Sequence, residues 1–444
     1  MTASSLTRPA DVSGDLTADT ALLREQAERG EDVLASLPPK PARTPTQRAE
    51  AERVHRELRW LRSRFMAAHA PAVYSGLTDG RTLPLRLDEL VTAAAEAHPG
   101  LVPSPAQLAA ESGLAPADRE GREIDQGVFF RGILRDPVAG GHLMESMLRP
   151  TPRALDLLDD FRRTGALDLG SVRIVRDGTT AALTIHNEHC LNAEDNKLTE
   201  DLETAVDLTL LDESVRVGTL RGAPMTHPRY AGRRVFSAGI NLKHLHRGQI
   251  SYTRFLLGRE LGYIHKIFRG LLLPDTPDAW PHRLLAKPFA AAVDTFAIGG
   301  GMQLLFVFDK VIAGSDAYFS LPAAQEGIVP GVGNLRLTRA AGGRLSRQVI
   351  LGGRRLWATE PDAAVICDEV VDPAAVGAAL DRAADALTAD AVAANRVMLN
   401  LAEEPWDDFR AYMAQFALVQ ALRLYSEDVL SKVGRFTARS EAAS

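Results

Sequence analysis

The residues best placed to do chemistry lie in Lys287-Pro-Phe-Ala-Ala-Ala-Val-Asp-Thr-Phe-Ala-Ile-Gly-Gly-Gly-Met-Gln303. The short apolar run, rich in Ala and Val, reads as a buried strand. Three glycines follow, and Met302 to Phe308 has the pattern of a helix. A strand, a tight turn and a helix start leave backbone N–H groups unpaired and aimed at one point, where the helix dipole adds partial positive charge. Such a point suits an anion: a phosphate, or the oxyanion of an activated carbonyl. Glycines placed only for close strand–helix packing account for the same pattern. The Lys-Ser/Thr pair of a P-loop is missing.

A second segment, Val235-Phe-Ser-Ala-Gly-Ile-Asn-Leu-Lys-His-Leu245, again reads as a short apolar strand ending at a glycine. A third is Phe319-Ser-Leu-Pro-Ala-Ala-Gln-Glu-Gly-Ile-Val-Pro-Gly-Val-Gly333, followed by Leu335-Arg-Leu-Thr-Arg-Ala-Ala-Gly342. In this order and spacing the three segments resemble the crotonase (enoyl-CoA hydratase/isomerase) superfamily. Its patterns are F-x-A-G-A-D-[IL]-K, K-P-x-[IV]-A-A-[IV]-x-G-x-[AC]-x-G-G-G and F-x-x-P-E-x-x-x-G-x-x-P-G-x-G. The resemblance covers roughly residues 171 to 372, less than half of the chain. It implies an α/β fold with a crotonase-like spiral core of ββα units. It also implies an acyl-CoA thioester substrate whose carbonyl oxygen sits between the backbone N–H groups of Ile240 and Gly300. Ala238, Gly239 and Lys243 would be substrate-binding, with Lys243 reaching the CoA phosphates; a lone lysine on solvated surface is the alternative. Backbone donors require no particular side chain, so Ile240, where a small residue is usual, leaves the hole intact. Each such donor stabilises an oxyanion-like transition state by about 3–4 kcal/mol.

Hydratases of the superfamily move protons with two glutamates. Their positions here are Gln303 and Ala323. An amide takes no proton near neutral pH, and a methyl group does no acid–base work. Glu326 falls three places late to replace the second. Hydration is therefore not expected. What remains is a hole that stabilises an enolate or carbanion beside a thioester, for a substrate that supplies its own acidity. An arylacetyl-CoA does so, because its α-carbanion spreads into ring and thioester, and such a carbanion reacts with dioxygen without metal or flavin.

A long helical N-terminal extension, Glu194 in Leu191-Asn-Ala-Glu-Asp-Asn196, Arg259 in Leu257-Gly-Arg-Glu-Leu-Gly262, and Gln303 with Ala323 resemble the dioxygenase branch of that superfamily. This resemblance implies conversion of 3,5-dihydroxyphenylacetyl-CoA and dioxygen to 3,5-dihydroxyphenylglyoxylate and free CoA, on the way to dihydroxyphenylglycine and the glycopeptide antibiotics. No cofactor is expected; dioxygen is a co-substrate. Glu194 would accept a substrate hydrogen bond or take the α-proton; as an acid at the start of a helix it would merely favour the dipole. Arg259 would orient a phenol oxygen or the developing peroxide; a surface pair with Glu260 or Asp275 is the alternative. Gln303 would hold a substrate hydroxyl or a water, or cap local backbone. An acyl-CoA isomerase or thioesterase using the same hole, and a non-catalytic crotonase-like subunit, stay open as rivals.

The elements that must position these residues follow from periodicity. Val54, Leu58, Leu61, Phe65 and Ala68 recur at helical steps after Thr44-Pro45, with Pro71 as the expected end. Leu87 to Ala97, and Gly141 to Arg163 broken by Pro150 and Pro152, suggest further helices, and Pro38 to Pro45 a linker. Residues 1–170 are expected to be a helical domain, a lid, an oligomerisation element or simply packing. The core, 171–372, opens with Val172–Val175, Asp177-Gly178 and Ala181–Ile185, a hairpin pattern. After Asn196, Leu198, Leu202, Ala205, Val206 and Leu210 mark an amphipathic helix. Residues 373–444, helical over 374–394 and 406–430, form a C-terminal region. The resemblance implies that it joins copies into a trimer or dimer of trimers.

The 444 residues carry 51 basic and 57 acidic side chains, net −6, which gives no reason to expect nucleic acid. No apolar run reaches membrane-spanning length and the first residues lack a signal-peptide core, so a cytoplasmic protein is expected. Two cysteines, Cys190 and Cys367, make no disulfide framework, and Cys190 reads as a structural thiol. His186 with His189, and His244 with His246, join no carboxylate or cysteine set of metal-ligand spacing, so no metal is expected.

Overall fold

The computed structural model describes residues 11–280, 283–427 and 429. They pack into two compact units. One contains the chain as far as Ser146 together with the segment that begins at Arg410; the other contains Met147–Phe409. This division by packing differs from the boundaries at 170 and 373. Helix Pro152–Thr164 sits with the core, where Ala154 and Phe161 are fully buried among its strands. The far end of helix Trp406–Leu424 is grouped with the N-terminal helices. Residues 431–444, and the expected helix end at 430, lie outside the described residues.

The N-terminal unit is built on helix Pro45–Leu77, opened by a capping box in which Thr44 and Gln47 satisfy each other's backbone. Val54, Leu58, Leu61 and Phe65 are buried as their spacing requires. Ala68 is exposed; Met66, His69 and Ala70 face inward in its place. The helix also runs through Pro71, six residues beyond its expected end. Val73, Tyr74 and Leu77 are buried in the last turns, and their packing outweighs the one hydrogen bond that proline removes. Leu87–Ala97 is the expected helix; Leu16–Ser36 was not anticipated.

The second unit carries a seven-stranded sheet in the order Ala166–Asp168, Val172–Asp177, Thr180–Ile185, Val217–Gly222, Phe289–Val293, Lys310–Gly314, Glu369–Val371. The hairpin around Gly178 is antiparallel, and every pair from Thr180–Ile185 onward is parallel. A second sheet has the order Leu356–Trp357, Tyr318–Ser320, Phe296–Ile298. The chain visits the large sheet, then the small one, then a helix: Phe289–Val293, Phe296–Ile298, Gly300–Leu304, and next Lys310–Gly314, Tyr318–Ser320, Ala323–Glu326. These are the expected ββα units. Two expectations change in detail. The single strand read before the glycine triplet is two strands in two sheets. Residues 235–240 form no strand and join their neighbours by isolated bridges, Ser237 to Ala297 and Ile240 to Glu194.

Candidate active site

Two glycine turns meet here. Gly239 and Gly299 both have positive φ, 86° and 55°, and a Cβ on Gly239 would lie 3.5 Å from the Gly299 Cα. The Gly299 N–H is taken by the Ser320 carbonyl at 2.7 Å and the Ile298 N–H by the Ser237 carbonyl at 3.0 Å. The next amides, of Ile240 and Gly300, donate to no group among the described residues. Both residues are partly exposed. Gly300 starts helix Gly300–Leu304, so its N–H is one of the donors that helix geometry leaves free. Two unpaired amides on touching turns are the arrangement that a thioester oxygen needs.

The Glu194 carboxylate lies beside this point, and it does not serve the helix after it. Asp195 is the N-cap of Asn196–Leu211, accepting from the Leu198 N–H at 3.1 Å, which releases Glu194 for other partners. Glu194 is buried and accepts from Arg259 Nε at 2.5 Å and from Ser237 Oγ at 3.2 Å. A Cβ on Gly300 would sit 2.7 and 2.8 Å from its two oxygens and 2.9 Å from Arg259 Nη2. Only a glycine at 300 lets this pair come so close to the turn.

Arg259 is also buried, not on the surface, and Asp275 is not its partner. It stands on a short helix, Gly258–Leu261, that continues a π-helical turn, Tyr252–Leu257, and ends at Gly262. Nη1 donates to Glu260 at 2.8 Å and to Gln303 at 2.9 Å, and Nη2 to the Gly300 carbonyl at 2.7 Å. Burial opposes the guanidinium's charge, but the Glu194 and Glu260 carboxylates outweigh it and hold its pKa above the ordinary value. Gln303 is committed as well: its Nε2 donates to both oxygens of Glu260, at 2.6 and 2.7 Å. Glu260 further accepts from the Val332 N–H at 3.3 Å, which ties the cluster to the turn of the third glycine motif. There Gly331 has φ 46°, and a Cβ on it would lie 2.1 Å from Glu260 and 2.3 Å from Gln303.

The structure thus brings Ala238, Gly239, Ile240, Gly300, Glu194, Arg259 and Gln303 together. Lys243 is exposed on helix Leu242–His246, which follows directly from Ile240. Sequence reading missed Glu260, Ser237 and Tyr263. Glu260 was visible only as a neighbour of Arg259, and Tyr263, four residues beyond Arg259, as its next turn. Among the described residues no three His, Cys, Asp or Glu side chains are grouped to hold a metal ion. Burial pushes the Cys190 thiol up to about 11, where it is protonated at neutral pH and a poor nucleophile.

The enoyl-CoA hydratase/isomerase family model matches residues 279–417. (3,5-Dihydroxyphenyl)acetyl-CoA 1,2-dioxygenase of Amycolatopsis orientalis is 58% identical over 422 residues, 95% of this chain and 96% of that one. The chain belongs to the crotonase, or enoyl-CoA hydratase/isomerase, family. The mitochondrial enoyl-CoA hydratase domain-containing protein 2 of Mus musculus is 34% identical over 47% of this chain and 68% of its own length. The crystal structure of an enoyl-CoA hydratase/isomerase from Pseudoalteromonas atlantica T6c matches with a TM-score of 0.50 at 22% identity, over 61% of this chain and 97% of that one. That likeness shows the crotonase fold over 61% of the chain. Similarity to the dioxygenase, by contrast, extends through nearly the whole chain.

Proposed function

We propose that this crotonase-family chain is a dioxygenase that converts 3,5-dihydroxyphenylacetyl-CoA and dioxygen to 3,5-dihydroxyphenylglyoxylate and free CoA. The observation that carries this reading is the identity of 58% over 95% of the chain with a dioxygenase of that name. The site is consistent with it. Free amides at Ile240 and Gly300 donate to the thioester oxygen as the α-carbon loses its proton, and the negative charge that develops there is what such donors stabilise. Gln303 and Ala323 stand where a hydratase needs carboxylates, and Gln303 is fully engaged with Arg259 and Glu260. Glu194, whose carboxylate stands against Gly300, serves in this reading as hydrogen-bond acceptor or base toward the α-carbon. Both oxygen atoms remain in the product: one on the former α-carbon, one on the carboxylate freed as CoA leaves.

The reaction needs no resident metal or organic cofactor, since the carbanion itself supplies the electrons. No described group of side chains is arranged as a metal site. Self-association through the C-terminal region is part of the same proposal. Met398, Leu399 and Leu401 on helix Asp390–Glu403 are 65%, 66% and 48% exposed, a neighbouring set of apolar side chains that a second copy would cover. No helix among the described residues is long and apolar enough to cross a membrane.

An oxygen-electrode trace with chelator-treated protein and 3,5-dihydroxyphenylacetyl-CoA tests the reading. Oxygen uptake matched by CoA release is expected, and two labelled atoms in the glyoxylate from 18O2. CoA release without uptake selects a thioesterase. Loss of turnover on chelation, restored by iron or copper, overturns the cofactor-free reaction.

A further inference from the structure

Tyr263 stands four residues beyond Arg259, past the break at Gly262, at the start of helix Tyr263–Arg269. Its side chain is completely buried, and its hydroxyl has no hydrogen-bond partner among the described residues. The Arg259 guanidinium carbon is 5.8 Å from the centre of its ring, and a guanidinium can only donate to the phenol oxygen, so the phenol's own proton finds no acceptor among the described residues. Four of the five Arg259 N–H groups are already committed, to Glu194, Glu260, Gln303 and the Gly300 carbonyl. Burial first, and then the nearby charges of Arg259, Glu194 and Glu260, act on the phenol, with the net effect of keeping it protonated. It is therefore a neutral donor, enclosed among charged groups that are paired with one another.

A buried hydroxyl left unpaired is costly, and most such groups in folded proteins have a partner. The neighbourhood otherwise satisfies its polar atoms thoroughly: Glu260 accepts four hydrogen bonds, and Gln303 uses both ends of its amide. An unsatisfied donor in such a cluster is explained if its acceptor arrives with the ligand. Glu194 and Arg259 stand against the Gly300 Cα, beside one of the two amides assigned above to the thioester oxygen.

We propose that Tyr263 is a specificity-determining residue whose hydroxyl donates to a ring hydroxyl oxygen of the bound arylacetyl thioester, selecting a hydroxylated ring over a bare one. This inference rests on the aryl-CoA reading of the site and adds to it a recognition partner.

The test compares wild type with Tyr263→Phe on two substrates, 3,5-dihydroxyphenylacetyl-CoA and phenylacetyl-CoA. In parallel, calorimetry measures affinity for CoA thioethers in which a methylene replaces the carbonyl, carrying either the dihydroxyphenyl or the phenyl ring. Loss of one such hydrogen bond is expected to lower kcat/KM and affinity about tenfold for the dihydroxylated compounds, and less than about twofold for the bare ring. Thermal stability of the unliganded variant is expected to equal or exceed that of wild type, because no partner is lost. Equal losses on both rings, no loss on either, or a lowered Tm in the unliganded variant would each overturn the proposal. The thioether affinities read ring recognition even if wild type consumes no oxygen, so failure of the dioxygenase reading is seen separately.

Discussion

Arg259 donates its Nε–H to Glu194 at 2.5 Å, and both groups crowd the Cα of Gly300 so closely that a methyl group there would overlap them. The ion pair and the Gly300 turn are therefore packed as one unit. Changing either partner changes where the other stands.

Removing Arg259 leaves Glu194 and Glu260 buried without their cation. Arg259→Ala should cost about 3–5 kcal/mol of stability, as for other broken buried pairs. Arg259→Lys keeps the charge but not the fork that reaches Glu194, Glu260, Gln303 and the Gly300 carbonyl, and should rescue folding more than turnover. Glu194→Gln should lower turnover about a hundredfold, or about 2.7 kcal/mol of transition-state stabilisation, with little change in affinity for a non-reactive thioester analogue. Normal turnover in folded Glu194→Gln would leave that residue a structural counter-ion.

Gly300→Ala should abolish most oxygen uptake through a displaced ion pair. Its Cβ would sit 2.7–2.9 Å from Glu194 and Arg259, so the pair, more than the thioester oxygen, must give way. Analogue binding should weaken too, as the turn shifts. Unchanged uptake in the folded variant would show that the pair is free to move without consequence.

Restoring the hydratase carboxylates should not restore a hydratase. Gln303→Glu places a carboxylate where Nε2 now donates to both oxygens of Glu260 at 2.6 and 2.7 Å. Two carboxylates at that distance share one proton, which raises the pKa of one of them in the folded state. The variant's stability should therefore fall as pH rises from 5 to 8, more steeply than that of wild type. Rapid crotonyl-CoA hydration by Gln303→Glu with Ala323→Glu would contradict this.

Glu326 offers a pH effect outside the ion-pair cluster. Burial raises its carboxyl from 4.5 to about 7. The folded chain thus keeps a proton that the unfolded chain releases near pH 4.5, and this contribution is complete below that pH and lost as pH rises through 7. Glu326→Gln should raise Tm at pH 8 and change it little at pH 5. Equal Tm shifts at the two pH values would place Glu326 in solvent.

Parts that depend on local pattern are legible in the residues. The glycines that fix Ile240 and Gly300 are read from backbone requirements, and so are the hairpin at Gly178 and the helix Asn196–Leu211. The replaced carboxylates at Gln303 and Ala323 need only residue identity at a motif position. What depends on direction emerges only from the packed fold. Asp195, not Glu194, caps the helix, because only one of two adjacent acids can turn back to the Leu198 N–H. Arg259 goes inward because the π-helical turn ahead of it rotates the helix face, and Glu260 beside it becomes an acceptor for Gln303 and Val332. Helix Pro152–Thr164 joins the core because Ala154 and Phe161 find apolar partners there, which sequence distance does not reveal. Periodicity tells which residues share a face. Which charge meets which, across 65 residues from Glu194 to Arg259, is set by the packing of separate elements.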